Sequence, residues 1–488
     1  MIARNHPAWQ WIFWILVILL LPFTSFPLVA RFIRSTMVAP ASLLAVTVLA
    51  AGWFLPYLLR RGGLPAQSRP LLAFIAIALI ASLTASFLPI PIFRDTPVLF
   101  NSIEGLVTLA IGVLFFLLAA LWPNQEDDLR RSLRWINWSG AIIIVWSFVQ
   151  AGIWYLGRSY PEWLYTLQNA VSTSGNLYHQ RVTGMAYEPS WLAHQLNMLY
   201  LPLWLSASVF RHSAHQRRLG FLTFENVLLA GGLATLFLSF SRIGWLAFLT
   251  SAAFLLLLAN VKLIRWAQAR LITQDRLGRF YRIGKVTLTI VMLLVLIAAY
   301  LAIFLGAGFA LSKLDPRMAT LFDLNIFEAN NFAALANRLV FAERVVFWEV
   351  GWDVFDQFPW LGVGLGNSGY FFTENLSSFS WGLPEVRTLM YHQSHIPNTK
   401  NLWVRLLSET GIVGFSVFIA WLFTLWQTGQ MLRRQKAVIF GVFGLAGLLT
   451  LVAFIIEGFS LDSFALPYYW LSFGLLVAAY RIARQKNV

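Results

Sequence analysis

Runs of some twenty apolar residues recur along the whole chain, separated by short polar turns, and that recurrence excludes most folds at once. A hydrocarbon slab about 30 Å thick is crossed by roughly 20 helical residues, and backbone polar groups within it must be satisfied inside the segment itself. With 58% hydrophobic, 16% aromatic and only 12% charged residues among 488, the chain is too apolar for a soluble globule. It reads as an all-α polytopic membrane protein with about 12 transmembrane helices. The spans fall near 9–30, 37–59, 70–90, 97–122, 136–157, 187–210, 222–241, 243–262, 286–311, 401–428, 437–457 and 464–482. No small-residue cleavage site follows the first, so it reads as an uncleaved anchor. The absence of cysteine excludes disulfides and thiolate metal sites.

Lys and Arg in short loops stay on the cytoplasmic side. Alternate loops are rich in them: Arg60, Arg61 and Arg69; Arg130, Arg131 and Arg134; Arg211, Arg217 and Arg218; the stretch from Lys262 to Lys285; Arg433, Arg434 and Lys436; Arg481, Arg484 and Lys486. This bias accounts for the formal charge of +15 with no nucleic-acid partner. An even number of spans puts both termini in the cytoplasm. The chain then divides into a bundle of nine spans over 1–311, an outer loop with an interfacial helix over 312–400, and three further spans over 401–488.

The cations that break the rule carry the functional information. Arg31, Arg34, Arg94, Arg158, Arg181, Arg242, Lys313, Arg317, Arg338, Arg344, Arg387, Lys400 and Arg405 lie on the outer side or in spans next to it. A charge at membrane depth is costly unless it is paired or faces a polar cavity. Arg242 stands between Ser239, Ser241 and an apolar run, and a snorkelling arginine is its plain alternative. Arg181 lies shortly before Glu188 and Pro189, where a helix starts, and an Arg181–Glu188 ion pair is the competing reading. Arg405 and Glu409 are four apart, the spacing of an intrahelical pair.

Within the outer loop, ERVVFWEVGWDVFDQF (343–358) has helical periodicity and reads as an interfacial amphipathic helix, with Phe347, Trp348, Trp352 and Phe355 on its apolar side. PWLGVGLGN after it lacks the strand and spacing of a nucleotide loop and reads as a tight turn. Lys400 faces the positive end of the helix that follows it, so an anion is what would reward a cation there. His392 and His395 are three apart, without the glutamate of a zinc-protease pattern, and no metal or other cofactor is expected. His194, Gln195 and Asn197 within the sixth span either line a polar cavity or bond neighbouring helices.

Arginine forks suit phosphate oxygens. A ring formed by Arg181, Arg242, Lys400 and one or both of Arg338 and Arg344, with His392, His395 and Glu188 nearby in topology, describes a site for a lipid-linked diphosphate. Its chain would lie in the bilayer and its head group among the charges. Preorganised cations stabilise such a leaving group, and the acceptor hydroxyl then requires a base. A transporter or flippase would also place charges along a pathway, but the internal repeats common in transporters are not evident here.

Four segments carry a family resemblance: RVTGMAYEPSWLA from 181, SFSRIGWLAF from 239, RVVFWEVGWDVFDQFPWLGVGLGN from 344 and KNLWVRLLSETGIVGF from 400. In this order they resemble the O-antigen ligase and O-antigen polymerase superfamily of bacterial membrane glycosyltransferases. The resemblance implies a GT-C-like fold in the bacterial inner membrane and a site facing the periplasm. It implies inverting, metal-independent transfer of a glycan from undecaprenyl diphosphate to an acceptor hydroxyl in cell-envelope polysaccharide synthesis, with a chain-length regulator as a further partner. Arg181 and Arg242 match the arginines taken to hold the diphosphate. The family's His-Asn pair is replaced by Lys400 and Asn401, so two candidates for the base stand: His395, whose intrinsic pKa suits it, and Lys400, which holds the matching position. The preferred assignment is His395 as base and Lys400 as phosphate ligand. The Tyr187-Glu188-Pro189-Ser190 run is closer to polymerases than to ligases.

Overall fold

The computed structural model describes residues 6–33, 37–215, 222–272, 281–313, 342–392 and 396–486. Apart from a single bridge between Ser25 and Ala39, every regular element among them is helical. In chain order the principal helices are α1 (Ala8–Leu19), α2 (Ser42–Leu59), α3 (Ala66–Phe87), α4 (Val98–Leu121), α5 (Glu126–Gly157), α6 (Glu162–Val171), α7 (189–209), α8 (Phe224–Leu238), α9 (Arg242–Leu271), α10 (Tyr281–Ser312), α11 (Ala342–Gln357), α12 (Leu402–Leu432), α13 (Val438–Glu457) and α14 (Pro467–Lys486).

Among the described residues, eight helices are long and apolar enough to cross a membrane: α2, α3, α4, α5, α9, α10, α12 and α13. The other four expected spans are helical but short, interrupted or more polar. α1 stops at Leu19, where Leu20–Phe23 turns before a short helix Pro27–Ile33. α7 is broken by a π turn at Leu196–Tyr200, with Pro189 and Pro202 opening its two α segments. α8 has 15 residues. α14 is long enough, but carries Tyr468, Tyr469, Trp470, Arg481 and Arg484.

By compactness the chain divides into one unit of residues 1–247 with 346–488 and a second of residues 248–345. At the centre of the first, α14 is buried along nearly its whole length. It packs against α4, and Gly474 permits the approach: a Cβ there would come within 2.5 Å of Ala119 Cβ and 2.6 Å of the Phe116 carbonyl. Small residues at such crossings let helix backbones close on each other where lipid supplies no hydrophobic drive. In the second unit, Gln268 of α9 donates to Thr289 of α10 at 2.7 Å.

The helices of the first unit alternate in direction. At one end Arg481 donates to the Leu121 carbonyl at 3.0 Å, Arg134 to Ala214 at 3.0 Å, and Lys486 pairs with Glu126 at 2.5 Å. At the other end the Tyr187 amide donates to Thr24 Oγ1 at 2.9 Å, the Val182 amide to the Leu238 carbonyl at 3.0 Å and the Leu402 amide to the Gly458 carbonyl at 2.8 Å. That second end carries Arg181, Arg242 and Lys400 among the cations that break the positive-inside pattern.

α11 forms where the sequence period places it, but a different face packs. Val346, Phe347, Val350 and Val354 are buried, the first three against Phe372, Leu376, Val386 and Leu389, and Val354 beside Tyr370 and Phe371. Trp352 is half exposed, with its ring 5.4 Å from that of Phe355. Phe347 and the β-branched valines fill the protein-facing groove, and Trp352 turns outward, as an interfacial anchor does.

Candidate functional site

Arg181 lies in the loop between α6 and α7, and two buried amides fix that loop. The Gln150 side chain, on α5, accepts from the Thr183 amide at 3.1 Å and the Gly184 amide at 3.0 Å, and donates to the Gly184 carbonyl at 3.0 Å. It also donates to Gln168 of α6 at 3.1 Å, and Gln168 in turn donates to the Gly184 carbonyl at 3.2 Å. One carboxamide thereby pairs with the main chain as a neighbouring strand would, satisfying backbone groups that a buried loop otherwise leaves unpaired. Gly184 meets this at φ +57°, a left-handed conformation that glycine adopts without penalty.

The same loop is tied to the end of α8. Arg181 Nε donates to the Ser239 carbonyl at 3.1 Å, and the Arg181 guanidinium lies 5.9 Å from the Tyr178 ring centre. Ser239 stands three residues before Arg242, which opens α9. Ser241 caps that helix: its hydroxyl accepts from the Gly244 amide at 3.3 Å and its carbonyl from Trp245 at 2.9 Å. Arg181 and Arg242 therefore flank one tight turn, residues 239–241, at the same end of the bundle.

Glu188 is the N-cap residue of α7, and the Ser190 hydroxyl donates to its carboxylate. Burial, and then the Glu188 charge, raise the Tyr178 phenol above its ordinary value, and Arg181 partly offsets this. Tyr187 is raised for the same first two reasons. Two neutral phenols, a carboxylate and the Arg181 guanidinium thus share this rim.

Lys400, at φ +50°, precedes the cap of α12. Asn401 accepts from the Trp403 and Val404 amides at 2.9 and 3.2 Å. The Lys400 ammonium pairs with Glu385 and lies 4.7 Å from the Phe347 ring centre. Glu385 therefore puts a carboxylate where the sequence reading calls for an anion. Further along α12, Arg405 pairs with Glu409 at 2.9 Å, as their spacing predicts. That pair holds the glycine-rich turn: Glu409 accepts from the Gly366 amide at 2.8 Å and from Ser368 at 3.0 Å. The Val363 and Gly364 amides donate to the Ser408 and Glu409 carbonyls, with Gly362, Gly364 and Gly366 all at positive φ. PWLGVGLGN is thus a turn that clasps a bend in α12 at Gly411.

Other misplaced cations hold main chain. Arg94 donates to the Leu389 and Met390 carbonyls at 2.6 and 2.9 Å, and Arg387 to Trp381 at 2.8 Å. His392 ends a π turn over Thr388–His392 and is exposed. Arg344 lies on α11 in the unit of residues 248–345. His395, Arg338, Arg34 and Arg317 lie outside the described residues.

A family model described as O-antigen ligase matches residues 227–419. The match supports the O-antigen ligase/polymerase superfamily for that segment. The matched residues run from α8 into α12 and include Arg242, Arg338, Arg344, His395, Lys400 and the Arg405–Glu409 pair. Arg181 and Glu188 lie before the matched residues, and the structure brings the Arg181 loop to the start of the domain through Ser239 and Leu238. No curated protein sequence matches the chain.

Four residues that matter to the site have no assigned role in the sequence reading. Gln150 and Gln168 look like isolated polar residues in apolar helices, and only the fold reveals that they grip one loop. Glu385 is one carboxylate in a polar loop. Glu457 closes an apolar helix at the end that bears Arg181 and Arg242, and an acid there is a signal in itself.

Proposed function

We propose that this protein is an inverting glycosyltransferase that moves a glycan from a polyprenyl diphosphate to a sugar hydroxyl on the outer face of the bacterial inner membrane. The observation carrying this reading is the Arg181–Ser239 bond, which puts Arg181 beside the turn that opens into Arg242. In this reading the acceptor oxygen attacks the anomeric carbon from the face opposite the diphosphate. The carbon–oxygen bond to the carrier breaks, and the departing diphosphate takes up the electron pair. Arg181 and Arg242 stabilise that developing charge by charge-assisted hydrogen bonds, with Arg338 and Arg344 as further diphosphate ligands.

The acceptor proton goes to His395. Lys400 exchanges its Glu385 partner for a phosphate oxygen when donor is bound, and Glu188 orients the acceptor hydroxyls from the α7 cap. Both termini face the cytoplasm. We favour a second lipid-linked repeat unit as the acceptor, which makes the enzyme a polysaccharide polymerase with undecaprenyl diphosphate as carrier and a chain-length regulator as partner. The description of the matched family favours the second reading, transfer to lipid A core or another terminal acceptor. Purified protein incubated with a lipid-diphosphate oligosaccharide alone separates the two. A ladder of products marks a polymerase, and turnover only after a second acceptor is added marks a ligase.

A further inference from the structure

Behind the Arg181–Arg242 turn lies a buried polar cluster to which the foregoing reading gives no role. Glu457, the last residue of α13, is fully buried, and His194 and Asn197 of α7 are at most 2% exposed. His194 Nδ1 lies 2.6 Å from Glu457 Oε2, and Asn197 Nδ2 donates to Glu457 Oε1 at 2.7 Å. The same Asn197 nitrogen donates to the Gly244 carbonyl at 2.8 Å. Gly244 is two residues past Arg242 and belongs to the turn that Ser241 caps. A Cβ at Gly244 would come within 2.5 Å of Ala193 Cβ, so α7 and α9 are in backbone-close contact here. The residue after Glu457 is bonded too: the Gly458 carbonyl accepts from the Leu402 amide at 2.8 Å, at the start of α12 just after Lys400 and Asn401.

A carboxylate this deep is a poor device for stability, because well-packed apolar side chains of similar volume do as well or better. What it supplies is direction. Two oxygens on one rigid group fix two partners at once, and one of those partners ends on the carbonyl of the turn that bears Arg242. We propose that Glu457 is a positioning residue for the diphosphate site: through Asn197 it holds the Gly244 carbonyl, and with it the first turn of α9 that carries Arg242. The inference rests on the reading of Arg242 as a diphosphate ligand.

The test is a double-mutant cycle read by equilibrium binding of farnesyl diphosphate to the full chain in detergent. Asn197→Leu keeps the volume and removes the amide, and it weakens binding about tenfold, the scale on which outer-shell partners act. Glu457→Gln is isosteric and preserves the fold should Asn197→Leu not. It replaces a charge-assisted bond by a neutral one and weakens binding about threefold. In an Arg242→Ala background neither change has any further effect, because both act through Arg242. Equal losses with and without Arg242, or wild-type affinity in Glu457→Gln, overturn the proposal. A wild-type protein that does not bind the probe, or an Arg242→Ala protein that binds it normally, removes instead the diphosphate reading and the inference with it.

Discussion

Replacing Gln150 by leucine tests whether the Arg181 loop is held as described. The side chain is 1% exposed and satisfies the Thr183 and Gly184 amides, at 3.1 and 3.0 Å, as well as the Gly184 carbonyl. Leucine has similar bulk but no polar atoms, so the two amides lose their acceptor in a site closed to water. A buried donor left unpaired costs about 1–3 kcal/mol, which puts the pair at about 2–6 kcal/mol. The α5 packing around Ser147 and Trp154 is untouched, so the cost falls on the loop and not on the bundle. Residues 182–186 should then exchange amide hydrogen faster by a factor of about 30 or more, since each 1.4 kcal/mol of local opening is tenfold. Glycan transfer should fall at least tenfold as the Arg181 guanidinium loses its register with Ser239. Gln150→Glu keeps both acceptor contacts but faces the Gly184 carbonyl with an oxygen, and should lie between wild type and leucine. Unchanged exchange over 182–186 together with wild-type transfer in Gln150→Leu would refute the clamp.

Arg181→Ala and Arg242→Ala should each lower the transfer rate by about 10²–10³-fold, the usual cost of removing one preorganised charge-stabilising donor. The proteins should stay monodisperse in detergent; near-wild-type rates in both contradict the reading. Glu409→Ala leaves the buried Arg405 guanidinium, the Gly366 amide and the Ser368 hydroxyl without their carboxylate, and should destabilise the protein by about 3–5 kcal/mol, seen as a lower thermal unfolding midpoint. The Tyr178 phenol, raised above its ordinary value of 10.0 by burial and by Glu188, keeps its proton throughout the neutral range. Its contribution to stability is complete below pH 10 and is lost only as pH rises through the higher folded-state value. The ultraviolet titration of wild type minus Tyr178→Phe should therefore show one phenol ionising above pH 10, and a midpoint at or below 10 contradicts the placement.

Much of the architecture was written in the apolar runs, because a 20-residue lipid-grade segment has few alternatives to a helix. Eight spans are legible for that reason. α7 is less so: its apolar run hides a π turn at Leu196–Tyr200, just before Pro202 and beside the buried bonds of His194 and Asn197. Arg181 and Arg242 stand out as charges in the wrong place, and Arg405 with Glu409 as a helical pair. Gln150, Gln168 and Glu457 are legible only in three dimensions. Their partners lie 33, 16 and 260 residues away, and no local pattern encodes such separations. The packed face of α11 differs from expectation in part: Phe347 packs as the period predicts, but the valines Val346, Val350 and Val354 share the buried face and Trp352 is left half exposed.

Whether Arg181 and Arg242 grip a diphosphate can be seen in a structure with an undecaprenyl diphosphate carrier bound in lipid nanodiscs. Phosphate oxygens should lie within about 3 Å of both guanidinium groups beside the 239–241 turn. Diphosphate density at the opposite end of the bundle, or touching neither arginine, would contradict it.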